Sequence, residues 1–204
     1  NDPPPGPTIT ARRRVSVHPP VRLKQHAVGE LVRRLREQRG LSLRGLGAAT
    51  DFSASFLSQL ENGQVSPSIS SMERIASALG VTLGEFFSSL GSTEGGVVVR
   101  ATERTQLQSQ WSQATLEALS PMTRGRLIEP LLITLEPGGR SGKHPTAQPR
   151  EEFAFVLEGR VELTLGPEAY RMDEGDAATL LRGELRRWTN VGTTRARVLV
   201  VAAI

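Results

Sequence analysis

Cysteine is absent from the 204 residues. Disulfides and thiolate metal centres are therefore excluded, which suits a reducing cytoplasm. Histidine is scarce as well: of the three present, His18 and His26 lie near the start and His144 stands alone beyond them. No apolar run approaches the length of a membrane span. The opening Asn1–Pro7 stretch has no apolar core of the kind a secretory signal requires. Neither a Gly-rich phosphate loop nor a Ser-His-Asp pattern is found. A cytoplasmic protein with no membrane partner is the expectation.

What is present is distributed unevenly. Net charge is +4, and residues 1–91 hold 11 Lys/Arg against 7 Asp/Glu while residues 92–204 hold 14 of each. The basic excess thus sits wholly in the first part, including Arg12, Arg13, Arg14, Arg22 and Lys24. A polyanion-binding module beside a neutral domain produces this asymmetry, and so does a basic tail with no partner.

Residues 1–25 are rich in Pro and Arg without apolar periodicity, predicting a disordered basic arm. Helical spacing then takes over across 26–89. Val28, Leu31, Val32 and Leu35 share one face of a first helix ended by Gly40. Ser42 and Ser53 can cap helices over Leu43–Thr50 and up to Glu61. Ile69, Met72, Ile75, Ala76 and Leu79 trace a fourth helix, and Thr82–Ser88 a fifth. Residues 90–96 read as a Gly-rich linker. From 97 to 204, short β-branched segments alternate with Gly and Pro: Val97–Arg100, Leu127–Leu135, Phe153–Leu157, Val161–Leu165, Ala177–Leu181 and Arg197–Val201. The fold class is α+β in two domains, a five-helix unit followed by an all-β sandwich or barrel.

The pair Leu43–Thr50 and Ser53–Glu61, bent through Asp51-Phe52, has the form of a DNA-reading helix pair. Phe56, Leu57 and Leu60 face the core, which leaves Ala54, Ser55, Ser58 and Gln59 on the opposite side. Gln pairs bidentately with adenine and Ser bonds base or phosphate. The runs Leu41–Gly47, Phe56–Gly63 and Pro67–Gly80, above all Leu-Ser-Gln-Leu-Glu-Asn-Gly followed by Pro-Ser, resemble phage-repressor-type (XRE-like) helix-turn-helix domains over about 26–88. The resemblance implies an operator-binding domain with Ser53, Ala54, Ser55, Ser58 and Gln59 at the DNA and Arg44 on a phosphate. Gly47 stands where Ala is common, and Asp51 where a turn Gly is common; Asp tolerates the left-handed conformation. A helical domain used only for protein contacts, with Gln59 bonded inside it, is the alternative reading.

Glu151–Gly159, followed by Gly175, Gly183 and Asn190, resembles the two signature motifs of the cupin superfamily, covering about 125–204. The resemblance implies a jelly-roll barrel, and for the whole chain a helix-turn-helix regulator with a small-molecule-sensing barrel, working as a homodimer on double-stranded operator DNA. Metal-dependent cupins use two His and a Glu from the first motif and one His from the second. Here the His positions fall near Thr146 and Gln148 and at Arg186, with His144 out of register, so only Glu152 survives. A guanidinium cannot ligate a metal; no metal or other cofactor is expected and no catalytic residue is assigned. Strand alternation places Glu152, Arg186 and Trp188 inside the barrel, with Phe153 and Arg187 outside. Arg186 then pairs with Glu152, or else binds an anionic effector in a site with Trp188, Gln148 and Val156. The competing functional class is a cupin enzyme, a metal-dependent oxygenase or epoxidase with an appended helix-turn-helix domain; its ligand set is what the sequence lacks.

Overall fold

A computed structural model describes residues 21–22, 25–90, 98–120 and 127–204. Five helices come first: α1 (Gln25–Gln38), α2 (Leu43–Thr50), α3 (Ala54–Glu61), α4 (Ile69–Ala78) and α5 (Leu83–Ser88). Each of the last four starts where a hydroxyl satisfies an orphan amide: Ser42 accepts from Gly45, Ser53 from Phe56, Ser68 from Ser71 and Thr82 from Glu85. Such caps contribute about 1 kcal/mol each. Gly29 permits the close crossing of α1 over α3, since a Cβ there would overlap the Leu60 carbonyl. Val28, Leu31, Val32, Leu46, Leu57, Leu60, Met72 and Ile75 fill the space between the helices.

Eleven strands are described: β1 (Val21–Arg22), β2 (Thr105–Ser109), β3 (Ala114–Ala118), β4 (Ile128–Leu135), β5 (Thr146–Ala147), β6 (Glu152–Glu158), β7 (Val161–Leu165), β8 (Glu168–Met172), β9 (Ala177–Leu180), β10 (Leu185–Asn190) and β11 (Ala196–Ala203). They form a seven-stranded sheet in the order β1-β2-β3-β4-β11-β6-β9 and a four-stranded sheet in the order β5-β10-β7-β8. All ladders are antiparallel except β1 on β2. Strict alternation of buried and exposed residues along β6, β10 and β11 aims one face of each inward. Trp188, Val156, Leu163 and Val198 lie there. Asn190 closes one end by bonding the Leu135 and Thr194 carbonyls at 2.9 and 2.8 Å.

Two expectations need correction. Of the expected strand Val97–Arg100, residues 98–100 are irregular and lead into a 3-10 turn at Ala101–Glu103, whose Glu103 carboxylate accepts the Arg100 amide. Within the arm expected to be disordered, Val21 and Arg22 pair with Thr105 and Gln106. Edge pairing uses backbone groups, which side-chain periodicity does not report. The rest of the basic stretch, with Arg12–Arg14, and the linker at 91–96 lie outside the described residues. The helical and β parts are packed together. Their buried apolar residues form one connected cluster, the Ser70 amide donates to the Ser141 carbonyl at 3.0 Å, and the Gly84 amide donates to Glu129 of β4.

Candidate functional site

Asp51 ends α2 in the left-handed region, with φ 54° and ψ 37°, the conformation that Asn and Asp adopt more readily than bulkier residues. Gly47 lets the bend tighten, because a Cβ there would lie 2.6 Å from the Phe52 carbonyl oxygen. Arg74 of α4 holds this turn by donating to the Thr50 carbonyl, approaching the Asp51 carboxylate at 3.6 Å and covering the Phe52 ring at 4.5 Å. Phe52 in turn packs on Phe56 of α3, with ring centroids 4.9 Å apart. The orientation of α3 is fixed from behind.

On α3, Leu57 and Leu60 are buried and Phe56 half-buried. Ser55 and Gln59 are exposed, Ala54 and Ser58 half-exposed, and Ser53 exposed at the cap. Arg44 is exposed near the start of α2. The five residues of α3 and its cap make an outward patch of short side chains around the Gln59 amide, and Arg44 presents a guanidinium on α2. Behind the patch, Glu61 receives Arg36 in a bidentate pair at 2.6 and 2.9 Å, and Arg36 also donates to the Leu41 carbonyl at 2.8 Å. The glutamate of the Leu-Glu-Asn-Gly run is therefore structural.

Inside the barrel, Arg186 and Glu152 pair bidentately, Nε to Oε2 at 2.6 Å and Nη2 to Oε1 at 2.9 Å. A third member comes from the helical part. Glu73 of α4 accepts from Arg186 Nη2 at 3.2 Å and from the Thr146 hydroxyl at 3.4 Å. All three charged side chains are at most 7% exposed. Burial works against the Arg186 charge, but the two carboxylates outweigh it and raise its pKa. Burial raises the Glu73 pKa, Arg186 opposes this, and the Glu152 charge adds to it. Two acids share one base in a buried site.

Trp188 and Val156 share the interior with this cluster, while Gln148 is half-buried and His144 exposed. Gln148, Glu152 and Glu73 line a cleft of about 290 Å³ between the two parts, together with Arg150, Glu129 and residues of α4 and α5. Among the described residues, no cluster of three His, Asp or Glu side chains could hold a metal ion. Arg186 and Thr146 stand at positions that metal-binding cupins give to His, and a permanently protonated guanidinium repels a cation. These residues do not fit the metal of the enzymatic cupins.

Sequence reasoning missed Glu73. Its signal was present: Glu73 occupies the same helical stripe as Ile69, Met72 and Ala76, a single charge on an otherwise apolar face.

The architecture defines a two-domain protein, a helix-turn-helix unit joined to a cupin barrel. The helix-turn-helix domain family matches residues 27–86 and the cupin domain family residues 131–202. The chain thus carries an XRE-like helix-turn-helix domain followed by a cupin domain and is homologous to helix-turn-helix transcriptional regulators. It is 26% identical over 174 residues to the regulator PuuR of Escherichia coli, covering 85% of this chain and 92% of that one. With the regulator SutR of the same organism it shares 26% over 145 residues, 71% of this chain and 76% of that one. The crystal structure of a helix-turn-helix family transcriptional regulator from Vibrio cholerae has the same fold, with a TM-score of 0.70, 23% identity and coverage of 89% and 97%. No described helix is long and apolar enough to cross a membrane.

Proposed function

We propose that the chain reads a double-stranded operator through the outward face of α3, as a homodimer, and that its cupin barrel senses a small molecule. The observation that carries this reading is the sorting of α3 itself. Leu57 and Leu60 are buried whereas Ser55 and Gln59 are exposed, so the polar face is free to enter a major groove. Gln59 reads a base, Ser55, Ser58 and Ala54 shape the surroundings, and Ser53 and Arg44 meet phosphates. Two copies related by a two-fold axis would place two such helices on successive half-sites. The barrel supplies a binding site and not a catalytic one, because its metal positions hold Arg186 and Thr146. Working beside its DNA, the protein acts in the cytoplasm.

Selection of random double-stranded DNA by the purified chain tests this reading. The expected result is a single enriched motif with two-fold symmetry, whose affinity falls when Gln59 is replaced by Ala. Enrichment no better than random sequence would overturn it.

A further inference from the structure

We propose that the Arg186 pocket takes a small carboxylate, and that Glu73 occupies the place of that carboxylate from within the chain. Ligand and DNA-binding domain then compete for one guanidinium, a mechanism that rests on the sensing role given to the barrel above.

Three features of the cluster carry it. First, the two glutamates are unequal. Glu152 meets Arg186 through two short bonds, whereas Glu73 has one at 3.2 Å and shares Nη2 with Glu152. Glu73 is the member that leaves. Second, the cluster holds one carboxylate more than its base requires, and burial makes that excess costly. Release of Glu73 returns it to water and relieves the cost of its burial, and an incoming carboxylate takes over its bond to Arg186. Third, the barrel offers more than a guanidinium. The indole N–H of Trp188, on the same inward face as Arg186, is buried without a hydrogen-bond partner among the described residues. A ligand oxygen would satisfy it. Arg186 and Trp188 do not line the cleft of about 290 Å³, but Glu73 and Glu152, the two acids bonded to Arg186, do, so departure of Glu73 would open the guanidinium toward a space that suits a small metabolite.

The route to DNA is short. Glu73 is anchored in the barrel, and its neighbour Arg74 grips Thr50, Asp51 and Phe52 at the turn before α3. Release of Glu73 removes one of the polar ties that dock α4 on the barrel, the Ser70–Ser141 bond being another, and so shifts the support on which α3 rests. The Ser70–Ser141 bond at the start of the same helix reports docking directly. A ligand that binds only the released form shifts the population by its differential affinity.

Acetate serves as the probe, in the full chain carrying Trp111→Phe so that Trp188 is the sole tryptophan. Fluorescence titration of this parent is compared with Glu73→Ala, Glu73→Gln and the double variant Glu73→Ala/Arg186→Met, with chloride as the ionic-strength control. Removal of the internal competitor should tighten acetate binding by at least about tenfold in Glu73→Ala, less in Glu73→Gln, and the double variant should lose it. Amide exchange at Ser70 should rise with acetate in the parent and be fast without acetate in Glu73→Ala. Equal acetate affinity in parent and Glu73→Ala, or binding that survives loss of Arg186, would overturn the proposal. Operator affinity measured on the same samples separates the two readings. A parent that binds DNA while acetate and Glu73→Ala leave that affinity unchanged refutes the coupling alone. A parent that selects no DNA refutes the regulator reading beneath it.

Discussion

Two buried arginine–glutamate clusters hold this protein together, and they are built differently. In the helical domain, Arg36 and Glu61 meet through two short bonds, Arg33 joins Glu61 at 3.3 Å, and Arg36 donates further to Glu37 at 3.5 Å and to the Leu41 carbonyl. All of these partners come from the same domain, and the one buried carboxylate is shared by two arginines. In the barrel, Arg186 faces two carboxylates, one of them contributed by another domain through a single longer bond. A cluster in which two arginines hold one buried carboxylate fixes a fold; one with two carboxylates on a single base has a member to spare. The difference separates a structural ion pair from a site suited to switching.

The largest effect expected of any single change lies in the helical cluster. Glu61→Ala leaves Arg36 buried with only the exposed Glu37 beside it at 3.5 Å and should cost about 3–5 kcal/mol, read as a lowered denaturant midpoint of the full chain. A loss below about 1 kcal/mol would erase the contrast between the clusters. Next comes the outward face of α3. Gln59→Ala should weaken binding to the selected operator by about 1–3 kcal/mol and relax preference at one base pair, measured by competition against single-base operator variants. A uniform loss at every position would place Gln59 on the backbone instead.

A smaller effect comes from the spare carboxylate. Glu73 faces Arg186 of β10, Glu152 of β6 and Thr146 of β5. Its pKa is raised in the folded protein, so the folded state holds its proton at pH values where the unfolded chain has lost it. The stability this contributes is complete below the ordinary carboxylate range and is lost as pH rises through the raised value. Docking should thus weaken as pH rises from acid, and Glu73→Gln should flatten that dependence. Thermal unfolding of both proteins across pH measures it; parallel profiles would refute the assignment. The smallest effect concerns the basic arm. Removal of residues 1–20, which keeps β1 intact, should lower the slope of log affinity against log salt by about 0.9 for each phosphate that the arm neutralises. An unchanged slope would leave Arg12–Arg14 without a part in binding.

Much of this was legible from residue order. Caps at Ser42 and Ser53, the apolar stripes of α1 and α4, and the left-handed tolerance of Asp51 follow from local chemistry and agree with the structure. The inward placement of Glu152, Arg186 and Trp188 followed from strand alternation on the cupin resemblance. What escaped depends on partners distant in the chain. β2 (Thr-Gln-Leu-Gln-Ser) has little apolar content and exists because β3 pairs with it. Residues 98–100 belong to a segment with the composition of a strand but pair with no described strand. Glu73 lies 113 residues from Arg186, and no local rule connects a charge on a helix face to a guanidinium on a strand that far away.

The two-residue strand before α1 also sets how the helical unit is mounted. Because β1 pairs with β2, the chain departs from the barrel at Arg22 and returns to it at Thr105 on the adjacent strand, roughly 4.8 Å away. The helical unit is therefore not a bead on the end of a string but an excursion whose exit and entry share one doorpost. Both of its crossings to the barrel are thereby tied to one edge of one sheet.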